Sequence, residues 1–389
     1  MATSSTPDQP VPAGSPGPAA LDGPVRVAIV GTGNIARVHA KALHDLAGAA
    51  GQAEIVAAAD IDEARLKAFC GEQDIPHAYP DLDDLLAQSR PQLVHVCTPP
   101  QVHHPQAVSC LRAGASVLVE KPPALSLREF DEITAAEDPA KRAWFATVFQ
   151  HRFGAGHRRL RALARAGVLG RPLVAVCHTV WFRDQAYFDV PWRGRWETEG
   201  GGPTMGHGIH QMDMVADILG DWTEVSAVAR QQARRMETED LSLAHVTFAS
   251  GAVASVINSV LSPREESYLR FDFERATVEL THLYGYGDAD WRITPASGCA
   301  DEVLAAWNAP AGGDADPAAR SGHLLQFAEV LRALRDGTRP PVAPPGSRRT
   351  LALATAIYAS AFTRRPVHPD DIAPGTPFYA SMEGSGARW

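Results

Sequence analysis

Along the first third of the chain, short β-rich apolar runs alternate with stretches in which apolar positions recur every three to four residues. That alternation predicts strands joined by crossover helices in a parallel sheet. The first run, Val25 to Val30, breaks at Gly31, and helical spacing then continues to about Leu46. A second run, Glu54 to Ala59, ends at Asp60 and is followed by helical spacing from Asp62 to Glu72 and from Leu82 to Ser89. Pro91 to Cys97 reads as a third core strand ending at Thr98-Pro99-Pro100, where two prolines permit neither helix nor ladder pairing and predict a rigid loop. After His103 and His104 a helix runs to Ala113, stopped by Gly114, and a fourth strand, Ser116 to Val119, leads into Glu120-Lys121-Pro122. In a doubly wound sheet, ligands bind at the loops that follow such strands.

Beyond about Val148 the pattern changes. Phe153 to Ala166 is spaced as a helix ended by Gly167 and Gly170, and strands are expected at Leu173 to Phe182, Thr223 to Ala229, Ser242 to Phe248, Ala252 to Leu261, Tyr268 to Glu274 and Val278 to His282. The break at Ser250-Gly251 makes the middle pair a hairpin, which demands antiparallel pairing. A sheet of this kind covered by helices on one face needs a cover for the other, so a homodimer or homotetramer is expected. Asn308 to Gly322 reads as a mobile loop, with helices to follow at about Leu324 to Arg335 and Arg349 to Phe362. The division expected is a disordered tail over 1–24, a dinucleotide-binding domain over 25–148, a substrate and oligomerisation domain over 149–322, and closing helices with a tail over 323–389.

Composition narrows the class. A net charge of −9 over 389 residues, with no long Lys/Arg block, argues against a nucleic-acid partner. No apolar run is long enough to span a bilayer, and the first 24 residues lack the basic start and apolar centre of a signal peptide. Five scattered cysteines without C-x-x-C spacing suggest neither disulfides nor zinc and fit a reducing cytoplasm. There is no internal repeat and no GxSxG, HExxH or P-loop motif, which leaves hydride chemistry as the best supported option.

The candidate chemistry begins at Gly31-Thr32-Gly33-Asn34-Ile35-Ala36, which fits the G-x-G-x-x-G/A dinucleotide fingerprint. Gly31 permits the tight turn, Gly33 admits a pyrophosphate close to the backbone, and Ala36 lets the helix pack on the strand. Asp60, roughly 25 residues further on, is where a carboxylate should meet the adenosine ribose. With Asp62 close by and no Arg or Lys immediately after, it should repel a 2′-phosphate, so NAD is expected, with NADP as the alternative.

VAIVGTGNIARVHAKAL, TPPQVHHPQAV and AGASVLVEKP, in this order and spacing, resemble the Gfo/Idh/MocA oxidoreductases over roughly Val25 to Val367. The resemblance implies an α/β chain with an N-terminal Rossmann domain and a C-terminal α/β domain on an open, largely antiparallel sheet. It also implies an NAD(P)-dependent enzyme acting on a sugar, cyclitol or related polyol. Thr98, Pro99, His103, Glu120 and Lys121 then join Gly31, Thr32, Gly33, Asn34, Ile35 and Asp60 around the cofactor, and a cis peptide is implied near Lys121 and Pro122. Lys121 should reach both cofactor and substrate hydroxyl. The run from Gly200 to Asp213 resembles the family's GGG-x-x-x-D-x-G-x-H, which puts His210 in the place of the catalytic histidine and Gly206 in that of the aspartate. His207 is the expected substitute. A histidine suits proton removal from an alcohol because its ordinary pKa lies near neutrality. A metal held by His207, His210 and Asp213 lacks a third ligand of convincing spacing, so none is expected.

Arg152, Tyr187, Trp192, Arg193 and Thr204 complete the expected substrate contacts, Arg152 and the further candidate His323 by resemblance alone. The aromatic and arginine-rich stretch from Trp181 to Trp196 suits the C–H face and hydroxyls of a sugar ring, and serves equally as core aromatics beside a solvated basic loop. Two other functions stay open: an enzyme that oxidises its substrate only transiently with tightly bound NAD, and a non-catalytic dinucleotide-binding regulator.

Overall fold

A computed structural model describes residues 23–309, 320–384 and 386, so the tail expected over 1–24 and the loop expected from Asn308 lie mostly outside the described residues. The first sheet has six parallel strands, β1 (Val25–Val30), β2 (Ala53–Ala59), β3 (His77–Tyr79), β4 (Leu93–Val96), β5 (Ser116–Val119) and β6 (Phe145–Thr147), in the order β3-β2-β1-β4-β5-β6. This is the doubly wound dinucleotide-binding order. β4, β5 and β6 are buried at every position, as expected of a parallel sheet covered on both faces.

On one face lie the helix Asn34–Ala50 and, from far along the chain, the helix His323–Arg335, whose Phe327, Val330, Leu331 and Leu334 join the apolar cluster around Ile29 and Leu43. That docking carries His323 to the end of the first sheet.

The second sheet has seven strands, β7 (Pro172–Phe182), β8 (Trp222–Arg230), β9 (Leu241–Phe248), β10 (Val253–Ser259), β11 (Leu261–Phe273), β12 (Ala276–His282) and β13 (Trp291–Pro295), ordered β13-β12-β11-β7-β10-β9-β8. Every pair is antiparallel except β7 with β10. The expected hairpin at Ser250-Gly251 joins β9 to β10, with Gly251 at φ +86°. Helices Ile209–Leu219 and Gly346–Thr363 bury one face, and burial alternates along β9 as a one-sided strand requires.

Two expectations change. The single strand read over Ala252 to Leu261 is two, because β10 and β11 flank β7 on opposite sides and the chain crosses the end of β7 at Val260, a step its continuous apolar pattern conceals. The helices Leu127–Ala135 and Ala300–Asn308 and the strands β3, β6 and β13 were not anticipated; β3 and β6 have three residues each, too few to show a period.

Candidate active site

Gly31 ends β1 at φ +83°, and a Cβ there would lie 2.8 Å from the Thr98 backbone nitrogen, so only glycine lets the two loops touch. The helix starting at Asn34 aims the unpaired N–H groups of its first turn, including those of Asn34 and Ile35, at the space over Gly33, where a Cβ would meet nothing within 4 Å. The cradle therefore fits a pyrophosphate.

Asp60 turns back onto this loop and accepts from the Thr32 amide (2.7 Å) and hydroxyl (2.8 Å). No cation directly follows Asp60 along the chain. The structure adds one: the helix Glu63–Glu72 brings Arg65 round to Asp60 with contacts of 2.6 and 3.1 Å. Burial alone would raise the Asp60 pKa, but the bonds from Arg65, the Asp62 amide and Thr32 hold it at about 2. The His103 ring sits between the Thr98 and Pro122 carbonyls, one ring nitrogen 2.8 Å from each and one of them donating, and so ties the Pro99 loop to the Lys121 loop, whose Lys121-Pro122 peptide is cis.

Lys121 donates from Nζ to the Gly206 carbonyl at 2.9 Å, and burial lowers its pKa. Glu120 points the other way: one oxygen lies 2.9 Å from His39 Nε2 and 3.5 Å from His323 Nε2. Burial would raise its pKa, yet these histidine contacts hold it well below the usual carboxylate range. The three ligand atoms lie within 4.8 Å of one another, a spacing set here by hydrogen bonds.

Past the three glycines the chain makes one wide turn, Thr204–Gly208, into the helix Ile209–Leu219. Buried Glu239 fixes its start by accepting from the Gly202 and Thr204 amides and from Tyr358; a Cβ on Gly202 would lie 1.9 Å from the Glu239 carbonyl. His207 and His210 follow, both held well below the ordinary histidine pKa, first by burial and next by Lys121. At neutral pH both are neutral bases. Each has a buried Nδ1 without a hydrogen-bond partner among the described residues. His207 Nε2 lies 3.4 Å from the Tyr187 hydroxyl, while the His210 ring packs beside His151 and Phe149.

The carboxylate nearest to Gly206 belongs to Glu199, on the short helix Trp196–Glu199: a Cβ at 206 would lie 3.2 Å from its Oε1. Its Oε2 accepts from the Gly194 amide at 2.7 Å, and burial pushes its pKa up to about 7. Nothing in the sequence marks Glu199 except its position just before the glycine run.

A cleft of about 550 Å³ opens over these groups and is lined by Lys121, His207, His210, Trp181, Tyr187 and Arg193 among others. His323, His151, Gln211 and Ser321 line it too, the last three unanticipated. Arg152, Thr204 and Trp192 stand outside it. Arg152 is clamped by Asp213 and Asp217, Thr204 bonds Ser242, and Trp192 lies beneath Arg193. Asp213, held by Arg152 and Thr350, does not gather with His207 and His210. A larger hollow of about 900 Å³, between Asp83 and Lys141, holds none of these groups.

A doubly wound domain with this cradle, whose loop after β5 sets Lys121 against the turn and helix that carry His207 and His210, defines an NAD-binding oxidoreductase. Residues 25–147 match the model of the oxidoreductase family with an NAD-binding Rossmann fold, and residues 157–282 match the GFO/IDH/MocA C-terminal domain. The chain belongs to the Gfo/Idh/MocA family.

It is similar to D-glucoside 3-dehydrogenase of Escherichia coli (28% identity, 67% of this chain and 79% of the relative) and to D-apiose dehydrogenase of Paraburkholderia graminis (25% identity, 93% and 94%). Among solved structures, the WlbA dehydrogenase from Bordetella pertussis, in complex with NADH and UDP-GlcNAcA, aligns with a TM-score of 0.76 at 27% identity over 89% of this chain and 98% of that one. Levoglucosan dehydrogenase in complex with NADH shares the fold, with a TM-score of 0.75 at 16% identity.

Proposed function

We propose that this enzyme oxidises a hydroxyl-bearing carbon of a sugar, cyclitol or related polyol, with NAD preferred to NADP. NAD, when bound, takes the hydride. Gly31, Thr32, Gly33, Asn34 and Ile35 hold its phosphates, Asp60 meets the ribose, and the loops at Thr98, Pro99, His103 and Glu120 border the nicotinamide end. Lys121 positions the reacting hydroxyl, His210 accepts its proton, and His207 with Tyr187 and Arg193 orients the rest of the substrate. The observation that carries this reading is a buried ammonium and two neutral imidazoles opening onto one cleft beside the dinucleotide cradle. Alcohol oxidation needs that combination, because hydride leaves readily only as the hydroxyl proton is removed. The relatives named for glucosides, apiose and inositol support the substrate class.

A second reading, transient oxidation followed by epimerisation, elimination or glycoside cleavage, draws support from the second neutral base, His207, which offers a place for a C–H proton. Screening a polyol panel with NAD while following NADH absorbance tests both readings. Net NADH formation supports the first, product without NADH supports the second, and neither outcome on any polyol or glycoside refutes both.

The enzyme works as a homodimer or a dimer of dimers through the open face of the second sheet. Val174 and Val253 sit side by side there, as do Val228 and Leu243, and all four are exposed. No described helix is long and apolar enough to cross a membrane, and all five cysteines are free, which supports a reducing cytoplasm.

A further inference from the structure

The charges around the cleft do not balance. Its lining includes Lys121, Arg183 and Arg193 and no aspartate or glutamate. Arg183 is matched from outside the cleft by Glu265 at 2.7 Å. Among the described residues the Lys121 ammonium hydrogen-bonds the Gly206 carbonyl and no carboxylate, while Glu120 and Glu199 attract it from outside the lining. Arg193 makes no ion pair with any described residue: its one side-chain hydrogen bond, to the Tyr187 carbonyl, is long at 3.4 Å, and its buried Nε has no partner among the described residues. Its guanidinium carbon instead lies over the Tyr187 ring, 3.7 Å from the ring centre, and 5.0 Å from that of Trp192. Glu199, outside the lining, attracts Arg193 without pairing with it: its Oε2 is taken by the Gly194 amide, and burial keeps much of it protonated near neutrality.

A buried guanidinium nitrogen without a partner is costly, and the cost is recovered only when an acceptor arrives. A neutral hydroxyl satisfies one N–H. A carboxylate satisfies two at once in the fork geometry that a planar guanidinium presents, and it also neutralises the charge. The cleft, at about 550 Å³, holds one small polyhydroxylated molecule, so a group on Arg193 and a hydroxyl at Lys121 and His210 belong to the same molecule.

We propose that the substrate is an acidic sugar, a polyhydroxylated carboxylic acid whose carboxylate is bound by Arg193 while a hydroxyl is presented to Lys121 and His210. This rests on the dehydrogenase reading of the cleft.

The test titrates NADH-loaded protein with matched pairs, glucuronate against glucose, galacturonate against galactose and galactarate against galactitol, by calorimetry. At least one acid should bind about ten- to hundredfold more tightly than its neutral partner, the scale of one charge-assisted pair. That ratio should shrink as salt is raised, collapse towards one in Arg193→Met, and survive in part in Arg193→Lys. The salt series needs no variant, so it decides even if Arg193→Met fails to fold. Neutral partners binding as well as the acids, a ratio unmoved by Arg193→Met, or no acid binding up to about 50 mM would each overturn the proposal. Failure of the parent reading is distinct: the acids would bind with this preference, yet no compound of either kind would pass hydride to NAD.

Discussion

Replacing Glu199 by glutamine removes one charge from beside the Gly206 turn, outside the lining of the cleft, and leaves the acceptor that Gly194 needs, since an amide oxygen can take the same hydrogen bond. Lys121 meets the carbonyl of Gly206, and Glu199 Oε1 lies 3.2 Å from where a side chain on that residue would begin. Charges roughly 6 Å apart at an effective dielectric constant of about 20 interact by about 3 kcal/mol. Partial solvation from the open cleft leaves about half, so turnover at pH 8 should fall about tenfold, and about a hundredfold if the whole term acts in the transition state. The sign follows from the titration. Glu199 is pushed up to about 7, so its ionised form, which adds to Glu120 in holding Lys121 as the ammonium, prevails above that pH. Wild-type turnover should therefore rise through about pH 7, and that limb should vanish in Glu199→Gln.

Stability runs in the opposite direction. A carboxyl raised in the folded state stabilises below its unfolded pKa of 4.5 and loses that contribution, up to about 3 kcal/mol, as pH rises through about 7. Glu199→Gln should thus melt no lower than wild type at pH 8, which separates lost activity from lost fold. Gly206→Asp in the Glu199→Gln background should restore part of the rate, while Gly206→Asp alone sets two carboxylates in contact and should lower it. An unchanged rate and pH profile in a folded Glu199→Gln protein would refute this reasoning.

Lys121→Ala and His210→Ala should each cut turnover at least about a hundredfold with NAD affinity little changed, and His207→Ala should cost less than His210→Ala. Steady-state kinetics on the true substrate checks the order, and a reversed order reverses the assignment. Asp60→Ala should weaken NAD by about 1–3 kcal/mol in a fluorescence titration. Arg65→Ala should weaken NADP more than NAD, because the guanidinium now on Asp60 is the cation nearest to a 2′-phosphate; equal losses would contradict this. Light scattering should give at least a dimer at micromolar concentration, and a monomer there would rule out pairing through the Val174, Val228, Leu243 and Val253 face.

The dinucleotide half was legible because its determinants are local. A β-rich run, a glycine that must adopt φ > 0 and an acid after the next strand lie within one contiguous stretch, and each keeps its meaning without tertiary context. The second sheet was legible as strands but not as a topology, since nothing local tells that Ser259 and Leu261 fall on opposite sides of β7. The site was half legible for the same reason. Lys121, His207 and His210 stand in motifs, whereas Glu199, His151 and Ser321 acquire their roles only from what folds against them.

Arg65 shows how a correct local rule can miss. The residues directly after Asp60 do lack a cation, but one turn of the helix capped by Asp62 returns the fifth residue to the carboxylate. A helix period, and not adjacency, sets which charges meet an acid at a strand end. The same geometry explains Gly206. A glycine where a carboxylate was expected does not leave the lysine alone, because the absent side chain makes room for Glu199, seven residues earlier in the chain, to approach the same carbonyl turn. The charge around Lys121 thus comes from two elements, first from Glu120 beside it in the chain and next from Glu199, which the glycine at 206 leaves room for.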